Sequence, residues 1–180
     1  MILIRHGQSE FNVVFERTRQ DPGIADPKLT ARGHEQVRRA AEQIRHDGHP
    51  IRRLITSPYT RALETAAILA EELKLPVAVE PIVHEHACWS CDIGTPISAL
   101  RERWPGLDFS HMDEIWWPED EKPESVHRRC ADFRVKAAQL ADWRHVGVVS
   151  HWGFIRTLTG RDVKNAEVVP FDPTDALTRG

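Results

Sequence analysis

The chain has little of several features that would each point somewhere specific. Its 180 residues include three cysteines, Cys88, Cys91 and Cys130. They form neither an even set nor a dense framework, which excludes a disulfide scaffold and makes a reducing cytoplasm the expected compartment. No apolar stretch approaches the length that spans a bilayer. Only Met1 to Ile4 precede Arg5, too few for the apolar region of a signal peptide. There is no block of Lys and Arg, and the net charge is −3, which argues against nucleic acid or an anionic membrane as a main partner. No internal repeat or low-complexity tract is visible. With 41% hydrophobic residues, the chain has the material for the core of one domain, expected to span residues 1–180.

The informative stretch is Leu3-Ile4-Arg5-His6-Gly7-Gln8-Ser9-Glu10-Phe11-Asn12. A short apolar run ends in a cation, an imidazole and a glycine, followed by small polar residues. That pattern reads as a buried strand delivering reactive side chains to a sheet edge, where open α/β folds bind ligands. Arg5 offers a fork suited to phosphate or carboxylate. His6 is the candidate nucleophile or proton carrier. Gly7 is expected to let the backbone approach a ligand.

Further along, strands and helices alternate. Thr30 reads as a cap for a helix with Val37, Ala40, Ala41 and Ile44 at helical spacing. Arg53 to Thr56 is a second strand, and Ser57-Pro58 reads as cap and first residue of the next helix. Tyr59, Leu63, Ala66, Ala67, Ala70 and Leu73 form its expected buried face, with Arg61 in the first turn, off that face. A cation there opposes the helix dipole unless an anion is held nearby. Val77 to Val79 is a third strand, and residues 84–124 read as a loop or lid over the site, with a short helix from Pro96 to Trp104. A long helix is expected from Glu124 to Arg144. His145 to His151 is a buried strand delivering a second histidine, and Asn165 to Phe171 an edge strand before a polar tail.

Arg5-His6-Gly7 with Asn12 resembles the signature of the histidine phosphatase superfamily, which includes cofactor-dependent phosphoglycerate mutase. Leu29 to Gln36 resembles the opening of that family's first long helix. Ser57-Pro58-Tyr59-Thr60-Arg61-Ala62 resembles its second motif, and Val148-Val149-Ser150-His151 its last. Glu85 falls where the family carries a proton-donating glutamate, although His86 follows it where arginine is common. Trp152 stands where the family usually has glycine. The resemblance implies a three-layer α/β/α sandwich with a mostly parallel central sheet, like that of phosphoglycerate mutase.

It also implies chemistry. His6 attacks phosphorus and forms a phosphohistidine. Arg5, Arg61 and a charged His151 hold the phosphoryl oxygens, and Glu85 protonates the leaving group. Gln8, Ser9, Asn12 and Trp152 are candidate substrate-binding residues. With those groups in place no metal or other cofactor is required. The expected activity is a metal-independent phosphomonoesterase acting on a small phosphorylated metabolite. The shortness of the chain favours hydrolysis over the alternative, a phosphoglycerate mutase-type transferase. Asp113, Glu114, Glu119, Asp120 and Glu121, if they line the rim, would repel long polyanions. An alternative of another class is a zinc- or ligand-binding protein built on His84, His86, Cys88 and Cys91. Oligomeric state is not legible.

Overall fold

The computed structural model describes residues 1–175; the expected polar tail lies, from residue 176, outside them. The elements in chain order are β1 (Ile2–Arg5), α1 (Glu10–Thr18), α2 (Ala31–His46), β2 (Arg53–Thr56), α3 (Thr60–Leu73) and β3 (Val77–Val79). They are followed by α4 (Ile97–Arg103), α5 (Pro123–Gln139), β4 (Val146–Ser150), α6 (Trp152–Thr159) and β5 (Val168–Pro170). The strands form one sheet in the order β3-β2-β4-β1-β5. All pair in parallel except β5, which runs antiparallel along the β1 edge.

Side chains alternate across a strand, and here both faces of the sheet are covered. Ile2, Ile4, Leu54 and Val149 pack under α2 and α3, against residues such as Val37, Ala41, Ala66 and Leu69. Leu3, Ile55, Val146 and Val148 face the opposite way, against Val126, Phe133, Phe154 and Ile155 of α5 and α6. Strands buried on both faces read as unbroken apolar runs rather than alternating ones. The result is the three-layer α/β/α sandwich with a mostly parallel sheet.

The 84–124 segment packs a small core of its own. Ile97, Leu100 and Phe109 close over Leu63 of α3 and Val79 of β3. Trp116 sits edge-on to Tyr59 at 4.6 Å and donates its Nε1–H to the Thr95 carbonyl at 2.9 Å, so this tryptophan is packing.

Three expectations shift. The helix expected to begin at Ser57-Pro58 starts at Thr60, because Tyr59 keeps an extended backbone (φ −64°, ψ 139°). Its cap comes from Asp26, whose carboxylate accepts from the Thr60 amide at 2.8 Å and the Thr60 hydroxyl at 2.7 Å. Ser57 is left free to bond elsewhere. The long helix expected to reach Arg144 stops at Gln139, where Leu140 turns extended (ψ 118°) ahead of a 3-10 turn over Trp143–His145.

Gly7 also serves a different neighbour from the one expected. A Cβ there would lie 2.6 Å from the Gly33 carbonyl and 2.9 Å from Val37 Cγ2, so the approach is to α2, not to a ligand. Gly33 is the reciprocal half: a Cβ on it would collide with the Gln8 carbonyl. That carbonyl also accepts from the Thr30 amide at 2.9 Å. Two bare backbones in contact therefore seat the first turn of α2 against the loop that follows β1. Gly33→Ala is expected to cost about 2 kcal/mol, as overpacking of a backbone contact does, read as a lowered midpoint in urea unfolding with the slope unchanged.

Candidate active site

Strand register brings the two histidines together. Arg5, the last residue of β1, is paired with Ser150, the last of β4, so the next residue on each strand is a histidine at the same sheet edge. The His6 and His151 ring centres are 5.1 Å apart, with planes inclined at 58°. On the other side of β4, Thr56 of β2 lies opposite Val149, and Ser57 follows it. The Ser57 hydroxyl lies 2.8 Å from His151 Nε2. A cavity of about 500 Å³ opens here, lined by Arg5, His6, Asn12, Arg61, Glu85 and Trp152 among others.

His6 is buried, with Nδ1 2.7 Å from its neighbour's carbonyl, Gly7 O. A carbonyl only accepts, so Nδ1 carries the proton and Nε2 keeps its lone pair. Burial, reinforced by the charges of Arg61 and Arg5, holds the imidazole pKa well below its ordinary value and the ring neutral. His151 is fully buried behind it and is not among the residues lining the cavity. Burial first, then Arg61 and His6, depress its pKa strongly. The expectation of a charged His151 is therefore not met in the unliganded protein. Its Nδ1 has no hydrogen-bond partner among the described residues, nor does Arg5 Nε. Arg5 is anchored through another nitrogen, which donates to the Val163 carbonyl at 2.8 Å.

Arg61 is not off the buried face of α3; it is 2% exposed. The anion that answers the helix-dipole objection is the protein's own. One Arg61 nitrogen donates to the Asp92 carboxylate at 3.0 Å, another to the Cys91 carbonyl at 2.7 Å, and the guanidinium lies 4.5 Å from the Tyr59 ring centre. Asp92 is itself buried and accepts from the Cys88 and Trp89 amides, each at 3.1 Å. Sequence reasoning missed Asp92, since a lone aspartate in a loop carries no signal of its partner.

Asn12 Oδ1 accepts from the Ser9 amide at 3.0 Å, the Ser9 hydroxyl at 3.1 Å and Asn165 Nδ2 at 3.1 Å. With its oxygen so engaged, the amide offers only Nδ2 to the cavity. Ser9 lines the cavity as the cap of α1. Gln8, expected at the substrate, does not line it; its side-chain oxygen accepts from the Thr30 hydroxyl at 3.0 Å. Trp152, the first residue of α6, does line it.

Glu85 reaches the cavity from the loop after β3. Its Oε1 accepts from the His86 amide at 2.8 Å and the Phe154 amide at 3.2 Å. Burial, aided by the nearby charge of Asp92 and opposed by Arg61, raises its pKa. The loop is pinned by Arg129 of α5, a second residue sequence reasoning missed. Arg129 donates to the Ile82, His84 and Glu85 carbonyls at 3.1, 2.7 and 3.3 Å, and forks onto Glu121 at 2.9 and 2.6 Å. Glu121, expected at the rim, is thus a buried counter-ion. Asp113, Glu114, Glu119 and Asp120 do not line the cavity either; Glu114 bonds the Ser98 hydroxyl on α4.

The rival cluster does not gather. The His84 ring is 2.6 Å from the Glu85 carbonyl and the His86 ring 2.8 Å from the Glu121 carbonyl. Burial pushes the Cys88 thiol up to about 11 and raises Cys91 further, so neither is a thiolate at neutral pH. Among the described residues no three His, Cys, Asp or Glu side chains are placed to hold a metal ion.

The family model of the histidine phosphatase superfamily (branch 1) matches residues 1–172. The chain belongs to that superfamily. Its relatives there include both phosphatases and mutases. It is 30% identical to a probable phosphatase of Schizosaccharomyces pombe over 125 residues, 66% of this chain and 56% of that protein. It is 37% identical to the 2,3-bisphosphoglycerate-dependent phosphoglycerate mutase of Methylobacterium radiotolerans over 109 residues, 58% of this chain and 48% of that protein. The chain thus spans about half the length of these relatives. In fold it resembles a mycobacterial glucosyl-3-phosphoglycerate phosphatase solved with VO3, with a TM-score of 0.64 and 24% identity over 93% of this chain and 88% of that one.

Two outcomes are expected of the charged groups that brace this superfamily site. Arg129→Met leaves Glu121 buried and unpaired and should cost about 3–5 kcal/mol, measured by thermal or urea unfolding. Asp92→Asn removes a negative charge that raises Glu85, so the Glu85 carboxyl should titrate at lower pH than in the parent protein, followed by carboxyl carbon NMR shifts.

Proposed function

We propose that the protein is a metal-independent phosphomonoesterase that works through a phosphohistidine on His6. The observation that carries this reading is the locked His6 ring: Nδ1–H is tied to the Gly7 carbonyl, the pKa is depressed, and the residue lines a cavity also lined by Arg5 and Arg61. A neutral imidazole with a fixed tautomer is a nucleophile at neutral pH.

In the first step Nε2 bonds to phosphorus as the ester P–O bond breaks, and Glu85 gives its proton to the departing alkoxide. In the second step water attacks phosphorus, Glu85 takes the water's proton, and the P–N bond breaks to return His6 and free phosphate. Glu85 must start protonated, which its raised pKa supports. Arg5, Arg61 and the Asn12 amide stabilise charge on the non-bridging oxygens, the part a divalent cation plays elsewhere. The unpaired Arg5 Nε supports an anion at this point, because a buried donor without a partner costs about 1–3 kcal/mol until an acceptor satisfies it. A phosphate dianion would in turn raise the depressed His151 pKa and favour its charged form.

The substrate we assign is a small phosphorylated metabolite, and the three free thiols support a cytoplasmic setting. Similarity to a phosphoglycerate mutase keeps transfer to an acceptor acid as a second reading. Against it, Glu16 and Asp162 outnumber Arg19 in the cavity lining beyond Arg5 and Arg61, which disfavours a second acidic group.

Rapid quenching with 32P-labelled aryl phosphate in excess chelator should leave acid-labile label on His6. His6→Ala should reduce phosphate release by at least about 10³-fold. Turnover that needs added metal, or a His6→Ala variant that keeps its rate, would overturn the reading. Label passing to phosphoglycerate only with a bisphosphorylated primer would favour the mutase.

A further inference from the structure

Phosphate fills only a corner of a 500 Å³ cavity. The remainder is walled by aromatic rings. Phe11 and Phe15, one helical turn apart on α1, stack with centres 5.3 Å apart and planes inclined at 19°. Trp89 continues the wall edge-on to Phe15 at 5.2 Å. From α6, Trp152 lines the same cavity. Six large apolar side chains are exposed among the described residues, and both tryptophans in that set, Trp89 at 45% and Trp152 at 37%, belong to this cavity. Solvent-facing tryptophan is costly in apolar surface, so two at one mouth need an occupant.

The main chain that carries Trp89 and the ring of Trp152 are held in place. The Trp89 amide donates to Asp92, and the next residue, Ser90, donates its amide to Asp21 at 2.8 Å. Trp152 donates its Nε1–H to Asp162, and the Arg156 guanidinium stands 4.8 Å from its ring centre. A ring fixed before binding, as Trp152 is, spares the ordering cost that a flexible wall incurs.

The charges at the mouth select further. Beyond the cradle of Arg5 and Arg61, Arg19 is the one cation lining the cavity among the described residues, and Glu16 and Asp162 line it too. A leaving group that carries a carboxylate and no cation, such as glycerate, would meet two like charges for one opposite charge. An uncharged ring would meet the aromatic wall. Resting on the phosphomonoesterase reading, the geometry points to phosphate monoesters of uncharged, ring-bearing alcohols as the substrate class, with Phe15, Trp89 and Trp152 as the leaving-group subsite.

The test uses esters with similar leaving-group basicity, so that chemistry cancels. For 2-phenylethyl phosphate, kcat/KM should exceed that for ethyl phosphate, and that for 3-phosphoglycerate, by about tenfold or more, the size of one aromatic stacking contact. Trp89→Ala and, as a second folded variant, Phe15→Leu should each bring the phenylethyl-to-ethyl ratio toward one. Binding of 2-phenylethylphosphonate against ethylphosphonate, measured by calorimetry, reads the subsite without turnover. If no ester is hydrolysed but the phosphonates differ about tenfold in affinity, the enzymatic reading fails and the subsite stands. Phosphonates that bind within about twofold of each other, a ratio unchanged in both variants, or 3-phosphoglycerate as the better substrate would overturn the subsite.

Discussion

The parallel pairing of β1 with β4, with Arg5 set against Ser150, decides where every reactive group can be. Hydrogen bonds between the strands set their register, and a slip by one residue would send each following side chain to the other face. With this register, both strands end level and each hands its next position to an imidazole. Ser57 follows β2 on the other side of β4 and finds His151 within hydrogen-bond reach. The Gly7–Gly33 backbone contact then fixes the loop beyond His6 against α2. His6, His151 and Ser57 thus extend the sheet itself, while Glu85 and Asp92 are brought to them by the loop after β3.

Two buried ion pairs stand around this frame. Arg61–Asp92 and Arg129–Glu121 both remove charge from water, which is expensive unless additional hydrogen bonds repay it. Here they do: each guanidinium also donates to backbone carbonyls, and Asp92 also accepts two amides. Glu85 lies near both pairs, with its carbonyl bonded to Arg129 and its carboxyl in the field of Asp92 and Arg61. What the pairs secure is the position of one carboxyl group rather than net stability.

Much of this was legible from residue order, and the failures share one cause. The apolar runs at Ile2–Ile4 and Val146–Val149 announced buried strands, and the residues that end them announced an edge with chemistry. The register itself, and so the 5 Å meeting of two rings, was not written locally; it followed only from the expected sheet. Helix α3 was placed two residues early because its cap, Asp26, lies 34 residues upstream. Asp92 and Arg129 were missed because a lone charged residue looks the same whether solvated or buried opposite a distant partner. Gln8, expected among the substrate-binding residues, turns its side chain to Thr30 instead. Short-range signals, such as the Thr30 cap and the apolar periodicity of α2, were readable because both partners lie within a few residues.

The carboxylate of Asp92 accepts at once from the guanidinium of Arg61 and the main-chain amide of Trp89. One oxygen meets the Arg61 guanidinium and the other holds the main chain of Trp89. Natural variation in the 88–92 loop is therefore constrained from both sides: on the proposed reading, drift that reshapes the aromatic end of the cavity would also retune the setting of Arg61. Divergence of substrate range in such a protein should be easiest through Phe15 and Trp152, which lie on helices and share no partner with Arg61.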